Sequence, residues 1–127
     1  MPCSTSCSCP LILIVIVAIS SALSLFSRDR ANGDAGADLI TAGGGNDTID
    51  GGEGNDSITA AANGGNNQLL GGAGNDAITG GAGTDTITGG AGVDTLAGGA
   101  GNDRFVFAAG DTSTTTGSID RITDFVT

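Results

Sequence analysis

The sequence reads GGAGNDAIT at residues 71–79 and GGAGTDTIT at residues 80–88. Both stretches keep glycine at positions one, two and four, aspartate at position six and isoleucine at position eight, and they differ only at positions five and seven. The pattern continues in both directions, and position six is occupied in turn by Asp38, Asp47, Asp56, Asn67, Asp76, Asp85, Asp94 and Asp103. Position eight is apolar in every one of these units. The two coupled series indicate a repeat protein rather than a flexible glycine-rich linker.

The nonapeptide predicts that tight turns alternate with short strands. Glycine permits positive φ, so the first six residues suit a turn. The last three residues leave room for a short strand that directs its middle side chain to one face. Two units then close one coil, and successive coils stack at ~4.8 Å, the spacing of paired strands. We therefore predict an all-β parallel solenoid with two inward columns, Ile40/Ile58/Ile78/Leu96 and Ile49/Leu69/Ile87/Phe105.

Composition limits how such a solenoid is stabilised and what it binds. The chain has 127 residues, with 14 acidic and 4 basic side chains and a formal net charge of -10 at pH 7. A polyanion repels phosphate backbones, which argues against nucleic acid as a partner. The 24 glycines cost backbone entropy on ordering, and aromatic residues make up only 3% of the chain. We expect a second source of stability beside the narrow core.

The repeated aspartates are the candidates for that second source. Stacking places the side chains at position six in a file along each edge of the solenoid, where like charges repel. A divalent cation between them reverses the sign of that interaction. Calcium is favoured because it takes roughly 6 to 8 oxygen ligands in flexible geometry, including backbone carbonyls. The chain has no histidine and its cysteines lie outside the repeat, which argues against zinc or copper.

These residues resemble the repeats-in-toxin (RTX) family, whose nonapeptide is GGxGxDxUx, with U apolar. Residues 51–59, 71–79, 80–88 and 89–97 match every fixed position of that pattern. The resemblance implies a right-handed parallel β-roll. It also implies that Ca²⁺ is held between turns on the same edge, two units apart.

Carried onto this sequence, the resemblance implies calcium sites at Asp38–Asp56, Asp56–Asp76, Asp76–Asp94, Asp47–Asn67, Asn67–Asp85 and Asp85–Asp103. Backbone carbonyls of the turns, such as those of Gly72, Gly74, Gly81 and Gly83, would complete the ligand shells. Asn67 is neutral, and Ala60 and Ala61 form a two-residue insertion before its unit. We therefore expect about four strong and two weak sites. We also expect the inserted alanines to bulge outward.

The chain divides into a signal-like or anchor segment with linker at 1–32, the calcium-binding roll at 33–106 and a partial capping segment at 107–127. The tail resembles the segment that follows the roll in RTX proteases, and its apolar residues are expected to cover the open end, namely Ile119, Ile122 and Phe125. For Asp120 and Asp124 two interpretations stay open, surface charge or additional calcium ligands.

The apolar run at 11–26 is predicted to be helical, and its role stays open among three interpretations. It is a signal peptide, a short membrane anchor or the product of a misassigned start. No basic residue precedes it, and Arg28 and Arg30 follow it. Cys3, Cys7 and Cys9 are too crowded for a disulfide framework, so lipidation or no role is expected.

The sequence thus predicts a calcium-binding module of a secreted RTX-type protein that folds on Ca²⁺ binding outside the cell. Its expected partners are calcium ions and, in the full-length protein, the type I secretion machinery. Membrane contact is expected only through residues 11–26, if they are retained as an anchor. Two alternatives stay open, the C-terminal part of a secreted RTX protease, lipase or cytolysin, and a structural or adhesive solenoid. Without histidine the chain lacks a zinc-protease motif and a Ser-His pair, so no catalytic residues are predicted.

Overall fold

The computed structural model describes residues 30–60, 64–108 and 120–124. Within these ranges the chain forms strands without any helix, and the strands are β1 (Arg30–Asn32), β2 (Leu39–Thr41), β3 (Thr48–Glu53), β4 (Ser57–Thr59), β5 (Gln68–Ala73), β6 (Ala77–Thr79), β7 (Thr86–Ala91), β8 (Thr95–Ala97), β9 (Arg104–Val106) and β10 (Arg121–Ile122). Accordingly, no helix in the described ranges is long and apolar enough to cross a membrane. The predicted helix at 11–26 and the three cysteines lie outside them.

The strands form two parallel sheets, and successive strands along the chain belong to the two sheets in turn. The odd-numbered strands pair in the order β1-β3-β5-β7-β9, and the even-numbered strands pair in the order β10-β8-β6-β4-β2. Each strand pairs with the strand two places along the chain, so two consecutive units make one coil. The result is an all-strand parallel β-solenoid of about four turns, as the repeat predicted.

The two predicted aliphatic columns are present and in register. In the even-numbered sheet the chain pairs Ile40 with Ile58, Ile58 with Ile78 and Ile78 with Leu96. In the odd-numbered sheet the corresponding column is Ile49, Leu69, Ile87 and Phe105. Apart from the partly buried Phe105, these side chains are at most 2% exposed, so they form the core.

Strand length differs between the sheets, which the repeat pattern did not predict. The even-numbered strands that belong to the repeat have three residues, as expected, but β3, β5 and β7 have six. Pairing in the long strands continues into the glycine-rich part of the next unit, where Gly52 lies opposite Gly72 and Glu53 lies opposite Ala73. Part of each such turn therefore also contributes ladder hydrogen bonds.

The inserted alanines were expected to bulge outward, and for Ala60 this expectation is wrong. Its backbone N–H donates to the carbonyl of Thr79 at 2.9 Å, as the N–H of Ala42 donates to the carbonyl of Thr59 at 2.9 Å. Ala60 is therefore the first residue of its unit, and it is buried in the core at 2% exposure. A methyl group is small enough for that place. Ala61 and the rest of the insertion fall within 61–63, outside the described residues.

The solenoid includes residues on both sides of the range 33–106. Strand β1 at 30–32 pairs with β3 and brings Ala31 onto the column that starts with Ile49. Strand β10 pairs with β8 and places Ile122 opposite Leu96, where it covers the end of the core. The predicted covers Ile119 and Phe125 lie outside the described residues.

Candidate metal centres

The side chains at position six form two files, which we call the first edge and the second edge. The first edge contains Asp38, Asp56, Asp76, Asp94 and, after the last repeat, Asp120; the second edge contains Asp47, Asn67, Asp85 and Asp103. Apart from Asp103 and Asp120, which end the files, each of these residues is at most 4% exposed. The carboxylates therefore point into the turns and not into solvent.

In the aspartates after the first coil, one carboxylate oxygen fixes the stacking of the coils. The backbone N–H of Asp38 donates to Oδ1 of Asp56 at 2.9 Å, and the N–H of Asp56 donates to Oδ1 of Asp76 at 2.8 Å. The second edge repeats the contact, since the N–H of Asp85 donates to Oδ1 of Asp103 at 3.0 Å. In Asp56 and Asp76, where Oδ1 is used in this way, only Oδ2 remains for another ligand. Asp38 begins the first edge, and neither of its carboxylate oxygens has a hydrogen-bond partner.

The other oxygen is buried without a donor in several aspartates of both files. Oδ2 has no hydrogen-bond partner in Asp38, Asp56, Asp76 and Asp85. Leaving a buried charged acceptor unsatisfied costs several kcal/mol unless a counter-charge is supplied, roughly 1 to 3 kcal/mol even for neutral groups. These orphaned oxygens therefore mark places where a cation fits.

Glycine at position one keeps a space open beside each orphaned oxygen. A Cβ added to Gly51 would lie under 3.0 Å from both Oδ2 of Asp56 and the carbonyl oxygen of Gly71 in the next coil. The same pair of oxygens, one carboxylate and one carbonyl, converges at Gly71 and at Gly80. At Gly51, Gly71 and Gly80, glycine therefore leaves room where two acceptor oxygens of neighbouring coils approach each other. Two facing acceptors suit a hard cation such as Ca²⁺.

Backbone oxygens must supply the remaining ligands. In the part of the chain that the structure describes, no group of three or more His, Cys, Asp or Glu side chains is close enough to hold a metal. The predicted carbonyls face the next coil at the matching glycine, where an added Cβ would lie under 3.0 Å from the oxygen; the carbonyl–glycine pairs are Gly72–Gly90, Gly74–Gly92, Gly81–Gly99 and Gly83–Gly101. The assignment of these four carbonyls as ligands stays a prediction.

Burial disfavours the charged form of three aspartates in the two files, Asp38, Asp76 and Asp85, which raises their pKa values. The pKa of Asp76 is raised to about 6, chiefly by burial and also by the charges of Asp94 and Asp56, against the lowering effect of the backbone N–H of Asp56. Burial is also the main cause of the raised pKa of Asp38 and Asp85. A bound cation would lower these pKa values, because it stabilises the charged form.

Comparison with known families agrees with this geometry. The sequence model of the RTX calcium-binding nonapeptide repeat, which spans four copies, matches residues 27–58, 61–96 and 79–113. The chain belongs to this RTX family. Membership implies a calcium-binding repeat module. No curated protein and no solved structure gives a significant match.

One RTX unit of this chain departs from the others at position six. Asn67 keeps the stacking contact, since its Oδ1 accepts the backbone N–H of Asp47 at 3.0 Å. Its Nδ2, however, donates to the carbonyls of Gly65 and Gly80, each at 3.4 Å. Asn67 therefore satisfies by itself two carbonyl oxygens of adjacent coils.

Asparagines at position five of the RTX units form a second set of contacts, which the repeat pattern alone did not predict. Oδ1 of Asn55 accepts the N–H of Asn75 at 2.8 Å, and Oδ1 of Asn75 accepts the N–H of Val93 at 2.9 Å. These bonds run to the following coil, whereas the aspartate Oδ1 bonds run to the preceding coil. The recurrence of asparagine before position six was the available signal.

The first RTX edge continues beyond the last nonapeptide. The N–H of Asp94 donates to Oδ1 of Asp120 at 2.9 Å, and Oδ2 of Asp120 is buried without a hydrogen-bond partner. The signal was the spacing of Asp120 and Ile122, which repeats positions six and eight. Asp124 has a different role, because its carboxylate accepts the N–H groups of Gly98 and Gly99 and so caps the last coil.

Proposed function

We propose that this chain is a calcium-binding RTX β-roll of a secreted protein and that it folds when it binds Ca²⁺ outside the cell. The observation that carries the proposal is the row of buried Oδ2 atoms without donors in Asp38, Asp56, Asp76 and Asp85. At all four, the oxygen and a carbonyl of the next coil converge on the glycine at position one. Calcium, when bound, would supply the positive charge that these converging oxygens lack.

The atoms of each site have different roles. Oδ1 of an aspartate holds two coils in register, while Oδ2 and the turn carbonyls, among them those of Gly72, Gly74, Gly81 and Gly83, would hold the ion. Glycine at position one leaves the space beside Oδ2 open. The strong sites are proposed at Asp38–Asp56, Asp56–Asp76, Asp76–Asp94 and Asp85–Asp103.

The coupling of binding to folding follows from the weakness of the core. Its buried side chains form columns that are one residue wide, so burial of apolar surface alone does not offset the ordering of the glycine-rich turns. Metal binding energy then becomes folding energy. Extracellular calcium-binding modules work at roughly 10⁻⁴ to 10⁻³ M Ca²⁺, a level found outside and not inside cells.

Three finer features belong to the same proposal. The coil is right-handed, the usual hand of parallel strand connections. The chain is exported, by the type I secretion machinery in the full-length protein, and acts extracellularly, with membrane contact only through residues 11–26 if they are retained. The module itself is not catalytic. Detection of the chain in the culture medium and not in the cells would support export, and its confinement to the cytoplasm would contradict it.

A calcium titration of the full chain tests the central claim. Far-UV circular dichroism should show a largely disordered chain in chelator and a gain of β-structure as calcium rises to about 10 mM. That concentration is about ten times the highest dissociation constant of extracellular calcium-binding modules. Magnesium at equal concentration is the control, and it should not fold the chain because it demands near-octahedral geometry and releases water reluctantly. An unchanged spectrum with calcium would falsify the proposal. Equal folding by magnesium would favour simple charge neutralisation.

A further inference from the structure

Among the eight repeats, only Asn67 carries a hydrogen-bond donor at position six. The residue is buried at 4% exposure. Its Nδ2 lies on the side that Oδ2 takes in an aspartate, and it donates to the carbonyls of Gly65 in its own turn and Gly80 in the next coil, both at 3.4 Å. The side chain therefore bridges two coils through a neutral amide.

Asp56 shows what the same place looks like with a carboxylate. Its Oδ2 has no donor and converges with the carbonyl of Gly71, the first residue of the unit in the next coil. Gly80 holds that same position relative to Asn67. At Asp56 an acceptor therefore faces an acceptor, which requires a cation, whereas at Asn67 a donor faces an acceptor, which closes the contact without one.

A methyl group occupies position one of the Asn67 unit. Ala60 takes the place that glycine has in neighbouring units, because its N–H donates to Thr79 at 2.9 Å as the N–H of Gly80 donates to Ala97 at 2.9 Å. A Cβ at the matching Gly51 would lie under 3.0 Å from both oxygens that a cation would join. The buried methyl of Ala60 thus stands in the space that Gly51 and Gly80 leave open in their units, as the methyl of Ala42 does in the preceding coil.

We propose that the Asn67 amide takes the place of a calcium ion between Asn67 and Asp85, and that this junction binds no metal. The inference rests on the proposed calcium-binding function and deepens it. One of the two weak sites expected on the second edge becomes a contact that the Asn67 amide closes without a metal ion. Calcium binding is then concentrated on the first edge and at Asp85–Asp103. The coils joined by Asn67 keep their register at calcium levels too low for the other junctions.

The ion count at saturating calcium tests the proposal. We expect Asn67→Ala in the full chain to bind as many ions as the wild type, measured by calorimetry and by metal analysis after equilibrium dialysis. The matched control Asp76→Ala removes the same position from the first edge and should bind at least one ion fewer. Loss of an ion in Asn67→Ala would show that Asn67 is a calcium ligand and would overturn the proposal.

A second variant decides the matter if Asn67→Ala does not fold. Asn67→Asp combined with Ala60→Gly gives the unit the aspartate and glycine that its neighbours have, so it should bind one ion more than the wild type. Ala60→Gly alone, which keeps the amide, should bind the wild-type number. A double variant without an additional ion would overturn the proposal. A wild-type chain that binds no calcium would instead overturn the proposed function itself.

Discussion

The backbone N–H of Asp56 donates to Oδ1 of Asp76 at 2.8 Å, across two stacked coils. Asp76 therefore has a structural role as well as being a candidate metal ligand. Its Oδ1 fixes the register of the two coils, and its Oδ2 is left for the ion. The two roles are separable in principle. A substitution that keeps the hydrogen bond to Oδ1 but fills the space beside Oδ2 should weaken calcium binding without changing the register of the coils.

Gly51→Ala is such a substitution. The added methyl would lie under 3.0 Å from both Oδ2 of Asp56 and the carbonyl of Gly71. We expect the calcium concentration at the folding midpoint to rise roughly 10-fold, equivalent to about 1.4 kcal/mol. The control is Glu53→Ala in the same strand, whose side chain is exposed and should leave the midpoint unchanged. Equal midpoints for the two variants in a circular dichroism titration would mean that the space beside Oδ2 is not part of the site.

The periodicity of the sequence was sufficient to predict the solenoid, both core columns and the two edges. These features depend only on which residues are apolar and which are acidic at a spacing of nine. The position of the insertion could not be predicted in the same way, because residues 60, 61 and 62 are all alanine and the pattern does not say which of them is extra. The backbone bond from Ala60 to Thr79 decides that question for Ala60.

The chemistry of Asn67 was also beyond the sequence pattern. Asparagine and aspartate have the same shape, so both fit the file at position six, and the difference lies in whether the second atom donates or accepts. That difference has a meaning only when its neighbour is known to be the carbonyl of Gly80, which is 13 residues away in sequence. The residue type together with its partner atom therefore decides whether position six offers a metal ligand or closes the contact by itself.

The core columns should account for much of the stability of the calcium-bound roll. Ile78 is 1% exposed and lies between Ile58 and Leu96 in its column. We expect Ile78→Ala to lower the free energy of unfolding by about 2 to 5 kcal/mol, the range for truncating a buried aliphatic side chain. Leu70→Ala is the control, because Leu70 is 36% exposed on the outer face and should cost about 0.5 kcal/mol or less. Urea unfolding at saturating calcium gives both values, and similar losses would contradict the inward register.

Two glycines at position four separate backbone strain from steric exclusion. Gly36 has φ +125° with nothing within 4 Å of an added Cβ, whereas Gly54 has φ +130° and its Cβ would collide with the carbonyl of Gly36. Gly36→Ala should cost about 1 kcal/mol from backbone strain alone. Gly54→Ala should cost a further ~1 to 3 kcal/mol, because the coils must separate to admit the methyl. Thermal unfolding at saturating calcium checks the order, and equal losses would mean that the coils do not stack this closely.

Acidification should favour the calcium-free roll and oppose calcium binding. The pKa of Asp76 is raised from 3.8 to about 6, chiefly by burial, so between these two pH values the folded state holds a proton that the unfolded state releases. The stability gained from that proton is fully present below pH 3.8 and is lost as the pH rises through about 6. In calcium-free buffer we therefore expect more β-structure by circular dichroism at pH 5 than at pH 7, and pH 5 avoids precipitation near the isoelectric point of 4.1.

With calcium the expected pH dependence reverses, because protons compete with the ion for Oδ2. Folding at pH 5 should then need more calcium than folding at pH 7. Asp76→Asn, which cannot titrate, should show a smaller pH dependence of both quantities. A calcium-free chain that gains β-structure as the pH rises would show that these carboxylates are not buried together.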